Sequence, residues 1–202
     1  GDLAEFYYHT YNVMGDPSLP VWLMNPDPIV LDAADFGEVC WDDGLITLER
    51  ADLQEGVFAL RQNNALVGSG RWTDGQIKIY RFDGSSFYAT EHPAEPLEIT
   101  LNSPGHTPVT VEVNPVTGSG VAFAGMEENV HVGMTSWTPQ FHNYGSQSVS
   151  VALNLSSPDG AYTETLGVLT IPAGGTVSTT ATTAPMIQLG DREIVIDVEI
   201  AG

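Results

Sequence analysis

The sequence predicts an all-β protein, built as two consecutive antiparallel β-sandwiches of immunoglobulin type behind a short N-terminal helix and strand. After about residue 25, apolar and polar residues alternate in short runs, and no long stretch repeats with the period of a helix. Pairs of Asn, Asp and Gly separate these runs, and such pairs suit tight turns between antiparallel strands. The chain thus divides into two blocks of roughly seven short strands each, which is typical of immunoglobulin-type sandwiches.

Residues 3–14 have the spacing of an amphipathic helix. Their apolar and aromatic side chains fall on one helical face; they are Leu3, Phe6, Tyr7, Val13 and Met14. Asp2 can cap the start of this helix, and Gly15 followed by Asp16-Pro17 can end it. The run Leu19–Leu23 then predicts a short strand.

Five half-buried strands are predicted in the first block. Each alternates apolar and polar residues, as a strand with one face toward a core does; they are Leu45–Glu49, Val57–Arg61, Ile77–Tyr80, Leu97–Leu101 and Val109–Val113. Turns are expected at Asn63-Asn64, Asp74-Gly75 and Asp83-Gly84, because these residues tolerate positive φ.

The second block repeats this style. Val149–Leu155 and Ile194–Ile200 alternate cleanly, and the Thr- and Ser-rich residues 176–183 suit an exposed strand. Asp159-Gly160 and Gly174-Gly175 can form turns.

A boundary between two domains is expected at Pro115. Each block ends on a strongly alternating strand, and this proline falls between the blocks. We therefore predict sandwiches at residues 25–114 and 115–202, and Pro26 and Pro28 indicate a linker at the start of the first. One large jelly roll is the alternative architecture.

The charge balance excludes some partners. Six Lys and Arg stand against 26 Asp and Glu, which gives a formal net charge of −20. Such a field repels nucleic acid and anionic membrane surfaces, and it attracts cations. No apolar run has membrane-spanning length. We therefore expect no nucleic-acid partner and no membrane insertion.

Two stretches resemble the gingipain-type cysteine peptidases. YNVMGDPSLPVW, residues 11–22, is similar to the end of their caspase-like catalytic domain, where a helix, a Gly-Asp-Pro-Ser turn and a short strand follow one another. LEITLNSPGHTPVTVEV, residues 97–113, looks like the closing strands of the immunoglobulin-like domain that comes next in that family. The second block, with FHNYGSQSVSVALNL at residues 141–155 and GVLTIPAGGTVSTTATTAP at residues 167–185, is similar to sandwich repeats in the C-terminal regions of secreted bacterial peptidases.

The resemblance implies a secreted or cell-surface parent peptidase at a bacterial exterior, with residues 1–24 as the last part of its catalytic domain. The family's catalytic Cys and His lie upstream of the Gly-Asp-Pro-Ser turn, so this chain is expected to lack the peptidase site. Its apolar helix face would contact the catalytic domain; the residues are Leu3, Phe6, Tyr7 and Met14.

Cys40 is the single cysteine, and it lies in the acidic stretch EVCWDDG. A nucleophilic thiol needs a lowered pKa, whereas the carboxylates of Glu38, Asp42 and Asp43 would raise it. We therefore expect a small structural residue and no catalytic residue in this chain. The five His, at 9, 92, 106, 131 and 142, do not have zinc-ligand spacing, and Gly68-Ser-Gly70 and Gly118-Ser-Gly120 are interpreted as turn or strand-end glycines.

An acidic cluster is the candidate metal site. Five carboxylates in loop-like sequence suit calcium, which prefers oxygen ligands; they are Asp32, Asp35, Glu38, Asp42 and Asp43. The alternative is a solvated acidic loop without metal.

The sequence leaves three functions open. The first is a non-catalytic region that supports, spaces or anchors the parent peptidase. The second is an independent adhesive or carbohydrate-binding module, for which exposed rings among Trp22, Trp41, Trp72 and Trp137 would supply a stacking surface, although core packing is the commoner use of such rings. A small hydrolase ranks last, because no nucleophile, base and oxyanion device converge in the sequence.

Overall fold

The computed structural model describes residues 25–88, 95–126, 136–158, 160–182 and 194–200. The helix and strand predicted within residues 1–24 lie outside this part of the chain. Across the described residues the protein is built of β-strands and one short 3₁₀ helix, Ala33–Phe36. The all-β class and the β-sandwich architecture are confirmed. Within the described ranges no helix is long and apolar enough to cross a bilayer.

The N-terminal half, residues 25–114, contains a four-stranded antiparallel sheet with the order β4-β3-β6-β8. A second antiparallel pair joins β2 to β5, and a parallel pair joins β1 to β7. The strands are β1 Asp27–Pro28, β2 Ile46–Glu49, β3 Gly56–Gln62, β4 Ala65–Trp72, β5 Gln76–Ile79, β6 Leu97–Asn102, β7 His106–Thr107 and β8 Val109–Val113.

The C-terminal half, residues 115–200, contains two three-stranded sheets, β13-β12-β16 and β14-β11-β9, and the pair β10-β15. Its strands are β9 Val121–Met126, β10 Ser136–Trp137, β11 Pro139–Asn143, β12 Val149–Ser156, β13 Thr163–Ile171, β14 Thr176–Ser178, β15 Ala181–Thr182 and β16 Val195–Ile200. The strand pairings among the described residues of this half are all antiparallel. Phe141 of β11 and Leu153 of β12 are fully buried in one cluster, so the two larger sheets pack face to face.

Hydrophobic alternation explains the cores. In β6, Leu97, Ile99 and Leu101 are fully buried while Glu98 and Asn102 are exposed, as expected for a strand with one face toward a core. The predicted turns form where the sequence places them: Asn63, Asn64 and Asp74 adopt φ of 48°, 61° and 57°. The division into two domains at residue 115 stays a prediction, although the described halves have separate buried clusters.

One prediction about glycines is wrong. Gly68 and Gly70 are neither turn nor strand-end residues, because they lie inside β4. A Cβ on Gly68 would overlap the carbonyl oxygen of Tyr80, and one on Gly70 would crowd the ring of Phe58. The missing side chains allow the segment after β5 to pass close to β4, where the Phe82 N–H donates to the Val67 carbonyl at 2.8 Å.

Gly68→Ala should therefore destabilise the protein by about 1–3 kcal/mol, because the added methyl group meets backbone that cannot rotate away. Denaturant unfolding measures this change. Ser69→Ala, at the exposed neighbouring position, is the matched control and should change the free energy of unfolding little. Equal stability of the two variants would show that β4 and the Tyr80 backbone are not in close contact.

Candidate functional site at the junction of the two halves

The linker between the halves, at Pro115 and Val116, is hydrogen-bonded to the N-terminal half. The N–H of Val116 donates to the carbonyl of Val39 at 2.9 Å, and its own carbonyl accepts from the N–H of Trp41 at 3.0 Å. Val116 thereby forms a parallel bridge with Cys40, and the preceding Pro115 is buried. The chain is thus fixed to the first half immediately before it enters the second.

The acidic turn 40–43 presents Asp42 to the C-terminal half. The Asp43 carboxylate accepts the N–H of Cys40 at 2.7 Å and closes the turn. On the other side, the N–H groups of Phe87 and Tyr88 donate to the carbonyls of Asp43 and Trp41, at 2.9 and 2.8 Å. With backbone partners on both sides, the turn holds the Asp42 side chain in one direction.

Asp42 joins the two halves directly. Its Oδ2 accepts the N–H of Ser119 at 2.8 Å, and its Oδ1 accepts the hydroxyl of Tyr144 at 3.1 Å. The same hydroxyl accepts the N–H groups of Gly118 and Gly120, each at 3.2 Å. The N–H groups of three successive residues, 118 to 120, thus donate hydrogen bonds to one carboxylate and one phenol. Since a Cβ on Gly118 would overlap the Asp42 carboxylate, the contact requires glycine there.

Tyr144 is held as a neutral donor. Burial, followed by the negative charge of Asp42, raises the pKa of Tyr144 to about 12. The phenol therefore keeps its proton over the whole physiological range and can donate to the carboxylate throughout. A hydrogen bond with one charged partner is stronger than one between neutral groups.

Ring stacking extends the contact. Tyr88 stacks with Tyr144 at a centroid distance of 4.5 Å and with His142 at 5.5 Å, with interplanar angles of 17° and 16°. Tyr144 also packs against the buried cluster of the N-terminal half. His142 Nδ1 lies 3.0 Å from the Thr176 hydroxyl, and burial lowers the pKa of this imidazole. A neutral ring in the stack is thereby favoured.

Ser86 adds a further connection. Its N–H donates to the Phe123 carbonyl, and its hydroxyl accepts the Phe123 N–H, both at 2.9 Å. The hydroxyl donates in turn to the Asp42 carbonyl at 2.8 Å. Ser86 is 1% exposed, so these polar groups depend on one another for partners. The hydroxyls of Ser86 and Tyr144 both bond neighbouring groups, and the arrangement is suited to fixing an orientation.

The five predicted calcium ligands are not brought together as one set. Asp32 caps the 3₁₀ helix by accepting the Ala34 N–H, and Asp35 accepts the Asp32 N–H, each at 2.8 Å. The Asp42 carboxylate accepts from Ser119 and Tyr144, and the Asp43 carboxylate accepts the Cys40 N–H. Glu38 is exposed. Within the described ranges, no group of three or more His, Cys, Asp or Glu residues is placed to hold a metal ion. Calcium binding stays a prediction.

The described tryptophans do not supply a stacking surface. Trp41, Trp72 and Trp137 are 9%, 3% and 3% exposed, and the Trp72 indole donates to the Leu53 carbonyl at 2.9 Å. Core packing is therefore their role, while Trp22 lies outside the described residues. His106 contacts the Pro104 carbonyl through Nδ1 at 3.1 Å; the histidines at 9, 92 and 131 also lie outside.

Sequence reasoning missed Tyr88, Ser119 and Tyr144. Asp42 and Tyr144 are 102 residues apart, so no local spacing connects them. The available signal was Gly118-Ser-Gly120 directly before the strand β9, since two glycines at a strand end permit another chain to approach closely.

No protein-family model and no curated protein matches the chain. Among solved structures, red sea bream transglutaminase is 13% identical with a TM-score of 0.32, over 81% of this chain and 28% of that one. A Bacteroides uniformis β-glucuronidase is 15% identical with a TM-score of 0.25, over 78% and 22%. Bacteroides uniformis β-glucuronidase 2, covalently bound to cyclophellitol-6-carboxylate aziridine, is 13% identical with a TM-score of 0.23, over 92% and 27%. The chain thus spans under a third of each structure, and likenesses at these TM-scores support no statement about activity.

Asp42→Ala should lower the free energy of unfolding by about 1–3 kcal/mol, because it leaves the Ser119 N–H and the Tyr144 hydroxyl without their acceptor. Thermal and denaturant unfolding measure the loss. Asp42→Asn retains one acceptor oxygen and should fall between wild type and Asp42→Ala. The control is Asp197→Ala, at an exposed position of β16. If Asp42→Ala behaves like the control, the carboxylate does not hold the halves together.

Cys40 should react slowly with thiol reagents. The thiol is half-buried, and burial, followed by the charges of Asp43, Asp42 and Glu38, raises its pKa. Since only the thiolate is nucleophilic, labelling of the native protein near pH 7.5 should be slower than that of a free cysteine by about tenfold, and should accelerate as the pH rises. Labelling as fast as that of the urea-unfolded protein would contradict the environment described.

Proposed function

We propose that this chain is the non-catalytic C-terminal region of a secreted gingipain-like cysteine peptidase, and that it supports, spaces or anchors the catalytic domain at the bacterial exterior. The peptidase origin rests on the sequence resemblance of residues 11–22 and 97–113. The supporting role rests on the Asp42 junction, which makes a tandem of two halves resist bending.

A spacer must hold its two ends at a fixed distance and angle from each other. In a flexible tandem a free linker would join the halves, whereas here Val116 is paired with Val39 and Trp41, and Asp42 bonds Ser119 and Tyr144. Inter-domain contacts that are small and polar normally permit relative motion. A carboxylate with two donors, together with stacked rings, opposes that motion.

The environment of Cys40 is one support for a non-catalytic role. The Cys40 thiol lies among carboxylates that raise its pKa, which is the reverse of what a cysteine nucleophile needs. In the proposal the parent protein is a cysteine endopeptidase whose nucleophile and base belong to the preceding domain. That domain contacts this chain through Leu3, Phe6, Tyr7 and Met14.

The alternative, an independent adhesive or carbohydrate-binding module, has less support. An exposed pair of Trp or Tyr rings on one sheet face would favour it; the described tryptophans are buried, and Tyr80 is 41% exposed. Glycan binding by the isolated chain would favour it.

The decisive experiment has two steps. The first determines what the reading frame upstream of Gly1 encodes, and the second measures whether the encoded domain binds this chain. We expect that frame to encode a caspase-like domain, and that domain, made separately, should bind this chain and melt at a higher temperature in its presence. Phe6→Asp should weaken binding by about tenfold or more, since it places a charge in an apolar contact. Val168→Asp, at an exposed position of β13, is the control and should bind as wild type. A frame without such a domain, or a domain that neither binds nor gains stability, refutes the proposal.

A further inference from the structure

One face of the four-stranded sheet β4-β3-β6-β8 is exposed to solvent. The other face contributes to the core: Phe58 and Leu60 of β3 are 2% and 0% exposed, whereas Val57, next to Phe58, is 41% exposed. The strands β6 and β8 alternate in the same way between buried and exposed residues. We call the solvent side of these four strands the outer face.

Positive and negative charges balance on the outer face. The four strands contain two arginines, Arg61 and Arg71, two glutamates, Glu98 and Glu112, and no other charged residue. All four of these residues are exposed. The whole chain, by contrast, has a formal net charge of −20. Since surfaces of the same net sign repel each other, the outer face is a place where two copies of this chain can approach with little repulsion.

The charges of the outer face are separated across the sheet. Arg61 and Arg71 lie on β3 and β4, whereas Glu98 and Glu112 lie on β6 and β8. Because the strand order is β4-β3-β6-β8, the boundary between β3 and β6 divides a positive half from a negative half. Three of the charges stand in one row, since the register pairs Arg61 with Glu98 and Glu98 with Glu112.

This row is not compensated within the chain. Glu98 and Glu112 lie directly opposite each other, and like charges at such cross-strand positions destabilise a sheet. Although Arg61 lies opposite Glu98, neither forms an ion pair with another described residue. The Arg61 guanidinium instead donates to the Asn64 carbonyl, at 3.3 Å. Two adjacent carboxylates and an arginine without a carboxylate partner therefore favour a partner that brings charges of its own.

The middle of the outer face permits close approach. The row next to the charged one has side chains no larger than that of threonine; they are Ser69, Ala59, Thr100 and Thr110. The hydroxyls of Thr100 and Thr110 lie 2.9 Å apart and bond each other. Val57 and Leu66 flank this row, and they are 41% and 48% exposed. Packing of another sheet here would cover these apolar side chains while the charges meet at one side.

We propose that two copies of this chain associate through their outer faces, about a two-fold axis that runs along the strands between β3 and β6. This rotation places β3 of each copy over β6 of the other, at the same level along the strands. Arg61 of each copy then lies over the Glu98 and Glu112 row of the other copy, and the contact forms twice. The inference goes beyond the proposed function and holds whether or not the parent protein is a peptidase.

Sedimentation equilibrium of the full 202-residue chain tests the dimer. Two faces of four short strands make a small interface, so we expect a reversible dimer that predominates near about 0.5 mM and dissociates on dilution. Arg61→Glu and Glu98→Arg should each raise the dimer dissociation constant by about tenfold or more, because each places like charges opposite each other twice. Asp197→Arg, at an exposed position of β16, has the same charge change as Glu98→Arg and should dimerise as wild type.

Mixing the two face variants gives the sharpest result. In a mixed dimer the new glutamate of one chain lies opposite the new arginine of the other, and the native contact between Arg61 and Glu98 forms once. The mixture also has the same total charge as two wild-type chains. An equimolar mixture of Arg61→Glu and Glu98→Arg should therefore dimerise nearly as tightly as wild type. Denaturant unfolding of each variant verifies that it folds.

A photo-crosslinking amino acid at position 59 gives a measurement that needs no charge change. Crosslinks between isotopically labelled and unlabelled copies should map to residues 97–102, and the same group at position 168 should give none between copies. A wild-type chain that is monomeric at about 0.5 mM, a mixture that stays monomeric, or crosslinks confined to one molecule would each overturn the dimer. So would protection of the outer face by the upstream domain in place of a second copy. A chain that dimerises but does not bind that domain would refute the proposed function and leave the dimer standing.

Discussion

The arrangement of the two halves depends on the hydrogen bonds that the Asp42 carboxylate accepts from the C-terminal half. Among the residues that the structure describes, Asp42 has the single side chain of the acidic turn 40–43 that accepts donors from beyond the linker, namely the Ser119 N–H and the Tyr144 hydroxyl. Loss of this acceptor, which leaves part-buried donors unsatisfied, costs about 1–3 kcal/mol. Contacts of this size compare with the few kcal/mol that separate conformations of a mobile tandem.

Several contacts between uncharged groups add to the Asp42 hydrogen bonds and define the orientation of one half relative to the other. The linker pairs with Val39 and Trp41, Ser86 exchanges two hydrogen bonds with Phe123, and Tyr88 stacks with Tyr144. These contacts come from different segments, so a rotation about Asp42 would break at least one of them. A rigid junction is of use mainly if something at one end must be held at a set distance or angle from something at the other. This is the physical basis of the supporting role that we propose.

Much of the fold could be predicted from the sequence, because strand alternation and positive-φ turn residues are local signals. Val109–Val113 has the predicted bounds, and Val149–Leu155 differs by one residue from β12. β4 was missed because Gly68, Ser69 and Gly70 hide its alternation. The glycines leave room for Tyr80 to approach β4 closely. This contact is visible only in the folded chain.

The site was harder to predict than the fold. Asp42 was named from the sequence as an oxygen ligand for calcium, but its partners come from residues 119 and 144, and no pattern near residue 42 indicates them. Asp32 and Asp35 show the same limit, since a capping box and a metal ligand set look alike when only spacing is known. A carboxylate's role depends on which donors the tertiary structure places beside it.

Residual dipolar couplings of backbone amides in both halves test the central claim most directly, because they report the orientation of each half relative to a common frame. If the Asp42 junction holds the halves as one body, couplings from residues 25–114 and from 115–200 should fit a single alignment tensor with the described orientation. Two tensors of clearly different magnitude would mean that the halves move independently, and would contradict a junction that holds them as one body.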